Sequence, residues 1–466
     1  MKVLLIAYDN GSYVSEFPLG LGYLSAVLRE AGHQPVIYNQ DVYHYPPEHL
    51  TKYLDENHFD AVGLSFVAGY WQYQKVKEIS KAVNASLNRE NFIYILGGHG
   101  PSPEPEYFLK LSGADYVVIG EGERTILELL MVNGKVGLEY LSKVHGIAYL
   151  KDGRLVKTPE RELIQDLDSI PFPAWDLFPI DHYCLSRFPN VKHTERTFPV
   201  LASRGCIFKC NFCYRMCPGI RFRSPQNIVE EIKQLKQRHH ISYIAFYDEL
   251  LMASPKRTQE VCNALIEANL DIRWCCDGRL NFAKPEILQL MKKAGCTFIN
   301  YGIESYDDNV LKNMNKNLTT DIIDKGLEAT RQQGISSGLN IIFGNIGDSL
   351  QSMQQGLQLI QKYNDYSQMR TIRPVTPYPG SDLYYQAIKE GKLKDAADFY
   401  ENKHLNSDLI AINFTDLTDD QFYNALYEAN FKLITDYYEY QRLSTIKVMR
   451  KMYTEKDASF RGFRHT

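Results

Sequence analysis

Short apolar runs rich in β-branched residues recur between amphipathic segments over most of this 466-residue chain, and that alternation restricts its folding choices more than any other feature. A strand that is apolar on both faces must be covered on both, which a parallel sheet flanked by helices provides. In residues 1–135 the runs KVLLIAY, PVIYN, DAVGLSF, NFIYILGG and ADYVVIGEGE alternate with helical segments. LGLGYLSAVLREAG has helical spacing with a glycine stop at Gly32, and a second helix is expected from about Trp71 to Leu87. These segments predict a doubly wound, Rossmann-like α/β domain. Ligands in such sheets sit beyond the carboxyl ends of the strands, where this chain places Ser65, Gly97 and Gly98, and Gly120, Glu121, Gly122 and Glu123. Glycines there let a large ligand approach the backbone, or simply turn strand into helix.

Residues 136–195 read differently, as a linker with a hairpin in IAYLKDGRLVKTP and a proline-rich, aromatic stretch, DLDSIPFPAWDLFP. Alternation resumes in residues 196–390 with FPVLASRGC, YIAFYDEL, DIRWCCDGRL, TFINYGIES, SGLNIIFGN and MRTIRPVTPYPGS. Six βα units are too few for a complete eight-fold barrel. Residues 391–466 read as a helical, tyrosine-rich segment with a basic tail from Lys447 to Arg464. Its aromatic residues, among them Tyr423, Phe431, Tyr437 and Tyr438, have the spacing of core packing as readily as that of a substrate site.

Hydrophobic residues at 44% and charged residues at 23% are ordinary for a globular protein. No apolar run approaches the ~18 to 20 residues of a membrane span. The N-terminal apolar run stops at Asp9 without a cleavage-like site, as a buried strand does and a signal peptide does not. A net charge of −4 argues against a general nucleic-acid binder. Nine cysteines, four of them between Cys206 and Cys217, fit a reducing, cytoplasmic setting and metal chemistry.

CIFKCNFC, Cys206 to Cys213, places three thiols in eight positions after a strand. Structural zinc and ordinary ferredoxin centres are closed by four ligands, so a trio predicts an iron-sulfur cube with one iron left open. A zinc knuckle is the plain alternative. Cys217 is four residues further on, within reach as a fourth ligand, or else a free thiol or a residue on the substrate side.

CxxxCxxC after the first strand of a βα series resembles the signature of the radical S-adenosylmethionine (SAM) superfamily. PLGLGYLSAVLREAGH, GGHGPSPEPEYF, ADYVVIGEGE, DLDSIPFPAWDL, SRGCIFKCNFC, YGIES and TPYPGS resemble, in order, landmarks of the subgroup with an N-terminal cobalamin-binding domain. The resemblance implies a partial (β/α)6 barrel with a [4Fe-4S] cluster on Cys206, Cys210 and Cys213, its open iron chelated by the amino and carboxylate groups of SAM. It implies SAM contacts at Phe212, at Tyr247, Asp248 and Glu249, at Gly302, Glu304 and Ser305, and at Ile341 and Gly344. Arg279 is the candidate partner for the SAM carboxylate, with a surface salt bridge as the alternative. Cobalamin contacts are implied at Ser65, Val67, Gly97, Gly98, Gly120 and Glu121. The D-x-H-x-x-G element that supplies a lower cobalt ligand is absent from AYDNGSYVSEFPLG, and His33 and His44 read as loop or helix-end residues. Cobalamin is therefore expected to bind without a histidine lower ligand.

By that resemblance the chain is expected to be a C-methyltransferase acting on an unactivated carbon through a 5'-deoxyadenosyl radical and methylcobalamin. Its substrate would be a small molecule or a peptide or protein side chain, and its electron donor a flavodoxin or ferredoxin. A radical cyclisation, oxidation or rearrangement without methyl transfer is the alternative. A metal- or cobalamin-binding protein without turnover of its own is a third reading, against which the six-unit barrel argues.

Overall fold

The computed structural model describes residues 1–12, 15–132 and 138–457. The expected boundary between residues 135 and 136, and the part of the basic tail beyond Asp457, lie outside the described residues. In the first sheet β1 (Lys2–Ala7), β2 (Gln34–Asn39), β3 (Ala61–Ser65), β4 (Ile93–Gly97) and β5 (Tyr116–Val118) run parallel. The hairpin β6 (Ile147–Lys151) and β7 (Arg154–Lys157) adds antiparallel to β5, giving the order β2-β1-β3-β4-β5-β6-β7. The hairpin read in the linker thus extends this sheet.

Strand β1 shows why the sheet is covered twice. Successive side chains point to opposite faces, so Val3 and Leu5 join a core with Leu28, Ile126 and Leu129 from two helices. Leu4 and Ile6 join a second core with Leu50, Leu54, Val76 and Ile79 from two others. The strand order reverses between β1 and β3, which opens a crevice beyond their carboxyl ends.

Strand β8 (Thr197–Val200) begins the second sheet and is followed by a two-stranded antiparallel ladder, β9 (Ser203–Arg204) and β10 (Arg221–Phe222). Then come β11 (Tyr243–Phe246), β12 (Arg273–Gly278), β13 (Cys296–Glu304), β14 (Ser336–Phe343) and β15 (Arg373–Pro374). With β8 these form a six-stranded, all-parallel half barrel in chain order, open between β8 and β15. Helices of the series start where the sequence signals them: Ser224 and Ser254 cap backbone amides ahead of Pro225 and Pro255 in the first turn.

Residues 391–417 are less helical than expected. They contain only the short turns Ala396–Asp398 and Phe399–Lys403. Here aromatic packing overrides helix propensity: Tyr400 stacks on Tyr73 and Tyr107 of the first sheet's helices, straps the segment across them, and leaves no room for a regular helix. The helix Asp419–Thr454 follows, opened by a capping box between Thr418 and Gln421. Its Phe422 packs on Phe343 with ring centroids 4.6 Å apart and covers Gly344, where a Cβ would lie 2.6 Å from the Phe422 ring. Phe422→Ala is expected to destabilise the half barrel by about 3 kcal/mol, read as a lower denaturation midpoint of its tryptophan signal from Trp274.

Candidate functional site

The segment from Cys206 to Cys217 lies within the loop that joins β9 to β10, and the base of that ladder is pinned electrostatically. Arg204 and Arg221 are cross-strand partners, and both grip Glu121, which follows β5 in the first sheet. Arg204 donates to Glu121 at 2.9 Å and to Glu123 at 2.5 Å, and Arg221 to both Glu121 oxygens at 3.0 and 2.9 Å. Ile164 N–H also donates to Glu121. Burial alone would raise the Glu121 carboxyl, but the bonds from Arg221, Arg204 and Ile164 hold it below the usual carboxylate range. Asp248 has a similar role. Buried to 1% exposure, it accepts from Ala202 N–H and the Ser203 hydroxyl, and burial pushes it up to about 6.

Above this base the loop is tightly folded. Gly205 sits at φ +87°, where a Cβ would meet the Gly219 carbonyl at 2.4 Å. Asn211 ties the loop to the turns after β13 and β14: its N–H donates to Met314 O, and its amide exchanges bonds with Asn345. Cys206, Cys210 and Cys213 are near enough to interact electrostatically; Cys210 is buried, Cys206 half-buried and Cys213 exposed. Cys217 points elsewhere, into the neighbouring cavity beside Glu121 and Glu249. Among the described residues no three His, Cys, Asp or Glu side chains converge as ligands of a single ion. Three thiols on one loop suit a cube with one open iron.

Arg279 is 5% exposed. Its Nε donates to Asn281 at 3.4 Å, its Nη1 to Cys210 Sγ at 3.6 Å and its Nη2 to Lys316 O, and its guanidinium carbon stands 3.5 Å above the Phe208 ring. The ammonium of Lys316, itself 5% exposed, pairs with Glu304 at 2.9 Å and stands 5.7 Å from the centre of the Phe212 ring. Glu304 adopts φ +71° after a register shift in β13, and a Cβ on Gly302 would collide with its carboxylate at 2.5 Å. Ser305 is buried beside it.

One cavity meets this loop at Gly205, Met216 and Cys217, and a second lies in the half barrel. The first, of about 440 Å³, lies between the carboxyl ends of the first sheet and the half barrel. Ser65, Gly97, Gly98, Gly120, Glu121, His99, Cys217 and Glu249 line it. Gly20 and Gly120 also line it, and a Cβ on either would project into open space, so the wall is bare backbone suited to a large flat ligand. Val67 lies outside it and is 51% exposed. The other, about 780 Å³, is the lumen of the half barrel. A polar ladder crosses it: Asn340 donates to Asn300 and Asn300 to Asp277, each at 2.8 Å, which leaves further amide and carboxylate valences facing the lumen. Ile341 lines the lumen and Gly344 does not. Tyr247 lines both cavities, its hydroxyl donating to Glu16 from the loop after β1, and burial and Glu16 together push its pKa far up.

His33 bonds the N-terminus, and His44 lies 3.2 Å from Asp9, so neither reaches a cavity. Motif reading passed over His99, Glu16, Lys316, Asp277, Asn300 and Asn340. For the last three, the signal was a polar residue midway along or near the end of strands whose neighbours in sequence are mostly apolar.

The family description "Radical SAM superfamily" matches residues 200–360, and "B12 binding domain" matches residues 12–130. The chain is 29% identical over 405 residues to an uncharacterized methyltransferase of Pyrococcus horikoshii, covering 84% of each. It is 26% identical to an anaerobic magnesium-protoporphyrin IX monomethyl ester cyclase of Rubrivivax gelatinosus, covering 83% of this chain and 70% of the relative. Its fold is similar to that of the radical SAM methyltransferase TsrM of Kitasatospora setae, solved with cobalamin and a [4Fe-4S] cluster. The TM-score is 0.71 at 15% identity, over 93% of this chain and 89% of that one.

Glu121→Gln leaves two buried arginines short of a counter-charge and is expected to cost about 3 to 5 kcal/mol, measured as a lower denaturation midpoint. After anaerobic reconstitution, Cys210→Ala is expected to lose most of its iron, while Cys217→Ser keeps the wild-type iron and sulfide content.

Proposed function

Because the chain belongs to the radical SAM enzymes that carry a B12-binding domain, we propose that it methylates an unactivated carbon, with Cys206, Cys210 and Cys213 as the cluster ligands. The observation that carries this reading is Tyr247, the side chain shared by the two cavities. A substrate carbon beside it borders both the lumen, where SAM fits, and the slot, where a corrin fits. When bound, the cluster and SAM supply a 5'-deoxyadenosyl radical and cobalamin carries the methyl group.

The chain's own residues bind, orient and shield. The ladder of Asp277, Asn300 and Asn340 offers hydrogen-bond partners to the nucleoside of SAM, and Ile341 offers it an apolar surface. Gly302, Glu304 and Ser305 face its amino acid end, and the Lys316 ammonium supplies a cation for a carboxylate there. Phe212 packs below Lys316, and Glu249 stands on the slot side. The bare backbone at Gly97, Gly98 and Gly120, with Ser65, receives the cobalamin. In the slot His99 is the one histidine among the lining residues, and we keep the expectation that cobalt takes no histidine lower ligand. Asp248 and Glu121 act through the loop base, and Arg279 is a positioning residue for the cluster. We keep the division into residues 1–135, 136–195, 196–390 and 391–466, the hairpin of the second unit docking on the sheet of the first.

No helix among the described residues is long and apolar enough to cross a membrane. Nine free cysteines support a reducing, cytoplasmic compartment with a flavodoxin or ferredoxin as electron donor.

Incubation with SAM, a strong reductant and substrate is expected to yield 5'-deoxyadenosine and S-adenosylhomocysteine together, in equal amounts. Deoxyadenosine without homocysteine would favour cyclisation or oxidation, as the name of the cyclase relative suggests. Arg279→Gln removes a cation and an N–H···S bond from the cluster's edge, and hydrogen bonds to sulfur help set cluster potentials. Its midpoint potential is expected to fall by tens of millivolts with SAM affinity little changed; a lost SAM affinity at unchanged potential would instead make Arg279 the carboxylate partner.

A further inference from the structure

Three residues that line the lumen come from outside the half barrel: Glu16 from the loop after β1, and Phe188 and Pro189 from the segment that joins the two sheets. Strand register sorts the others into layers, because every second side chain of a strand points the same way. Cys275 pairs with Ala245 and with Phe298, and two positions further along Asp277 pairs with Asn300, while Tyr247 directly follows β11. All six line the lumen. The layer nearer the carboxyl ends, and so nearer the cysteine loop, is polar. The layer below it holds two apolar side chains and the Cys275 thiol, which burial pushes up to about 12 and so keeps uncharged.

Phe188 closes that lower layer. It packs against the cluster of Tyr243, Ala245, Cys275 and Phe298. Its ring lies parallel to that of Tyr243 with centroids 6.5 Å apart, and edge-on to Tyr247 at 6.1 Å. The segment that carries it is clamped to the amino ends of β12 and β13. Arg273 donates to Asn190 O at 2.7 Å and to the two Glu195 oxygens at 2.8 and 2.7 Å, and Asn190 donates to Thr297 O at 3.4 Å. Phe188 is thus held at one height by bonds that the barrel itself supplies.

We propose that Phe188 is the floor of the substrate site and a specificity-determining residue, which sets how long an apolar group a substrate can insert beneath SAM. The proposal rests on the reading that SAM lies along the polar layer and shares the lumen with substrate. Ala245, Cys275 and Phe298 give a nucleoside little to hydrogen-bond, so SAM leaves their layer to the apolar end of a second ligand. Each CH2 placed there is removed from water and tightens binding. A group that reaches Phe188 gains nothing by growing, because a packed wall resists insertion of further carbons.

The test is binding of straight-chain primary alcohols, from ethanol upward, to the full chain reconstituted with its cluster, cobalamin and SAM. Isothermal titration calorimetry without reductant reads it, so that no SAM is cleaved. SAM affinity is measured first, and a wild-type chain that binds no SAM would overturn the functional reading on which the proposal rests. With SAM bound, alcohol affinity is expected to rise about fourfold per CH2 and to stop rising at a limiting length. Phe188→Ala leaves space where the ring was, and its limiting length is expected to be longer by about two to three carbons, with SAM affinity unchanged. Phe188→Leu is expected to fall between the two, and it replaces Phe188→Ala if circular dichroism shows that variant unfolded. Alcohols that do not bind the SAM-loaded chain, a limiting length that is the same in wild type and folded variants, or SAM affinity lost in Phe188→Leu would each overturn the proposal.

Discussion

Two arginines facing each other across a two-residue ladder would repel, and the fold holds them together by placing two glutamates of another sheet between them. Arg204 and Arg221 meet Glu121 and Glu123 with little solvent near any of the four, their side chains 17, 8, 4 and 10% exposed. Such a buried network adds little net stability over an apolar one, but it tolerates few other arrangements. What it determines here is position. The ladder carries the cysteine loop, the glutamates terminate β5, and so the loop is held at a set height above the first sheet. The proposed corrin slot and the cysteine loop are therefore two sides of one joint.

The joint also explains why so many charged groups cluster where apolar packing would be cheaper. Arg279 and Lys316 approach the cysteine loop from the half barrel, and Glu304 balances Lys316. Each is buried and paired, so the local field is permanent and does not depend on solvent or salt. Tyr247 sits where the two cavities touch, and its hydroxyl is committed to Glu16, a residue from the other sheet. The partition between the cavities is thus braced by side chains that both halves of the chain supply.

Much of this was legible in the residues. The continuous apolar run of β1, the glycine stop after the first helix and the cysteine spacing are all short-range properties, and each was read correctly for strand, helix or loop. Residues 391–417 were not, although the helix expected after them is there. Tyr400 is drawn into a stack with Tyr73 and Tyr107, and a partner some three hundred positions away leaves no local trace. Asp248 and Arg279 show the same limit from the other side. Their motifs are recognisable, but that one bonds Ala202 and Ser203 and the other Cys210, Phe208 and a carbonyl is written in neither motif.

By itself the sequence determined most of the strands and helices, that the first five strands and the half barrel are parallel and covered, and that three thiols share one tight loop. Those follow from side-chain period and backbone preference within a few residues. Tertiary structure alone decided which polar groups converge: Glu16 on Tyr247, Lys316 on Glu304, Asp277 with Asn300 and Asn340, and two arginines on Glu121. Such meetings depend on how strands from distant parts of the chain are set side by side. Register and crossover between sheets, which no local pattern encodes, turn a list of candidate residues into a site.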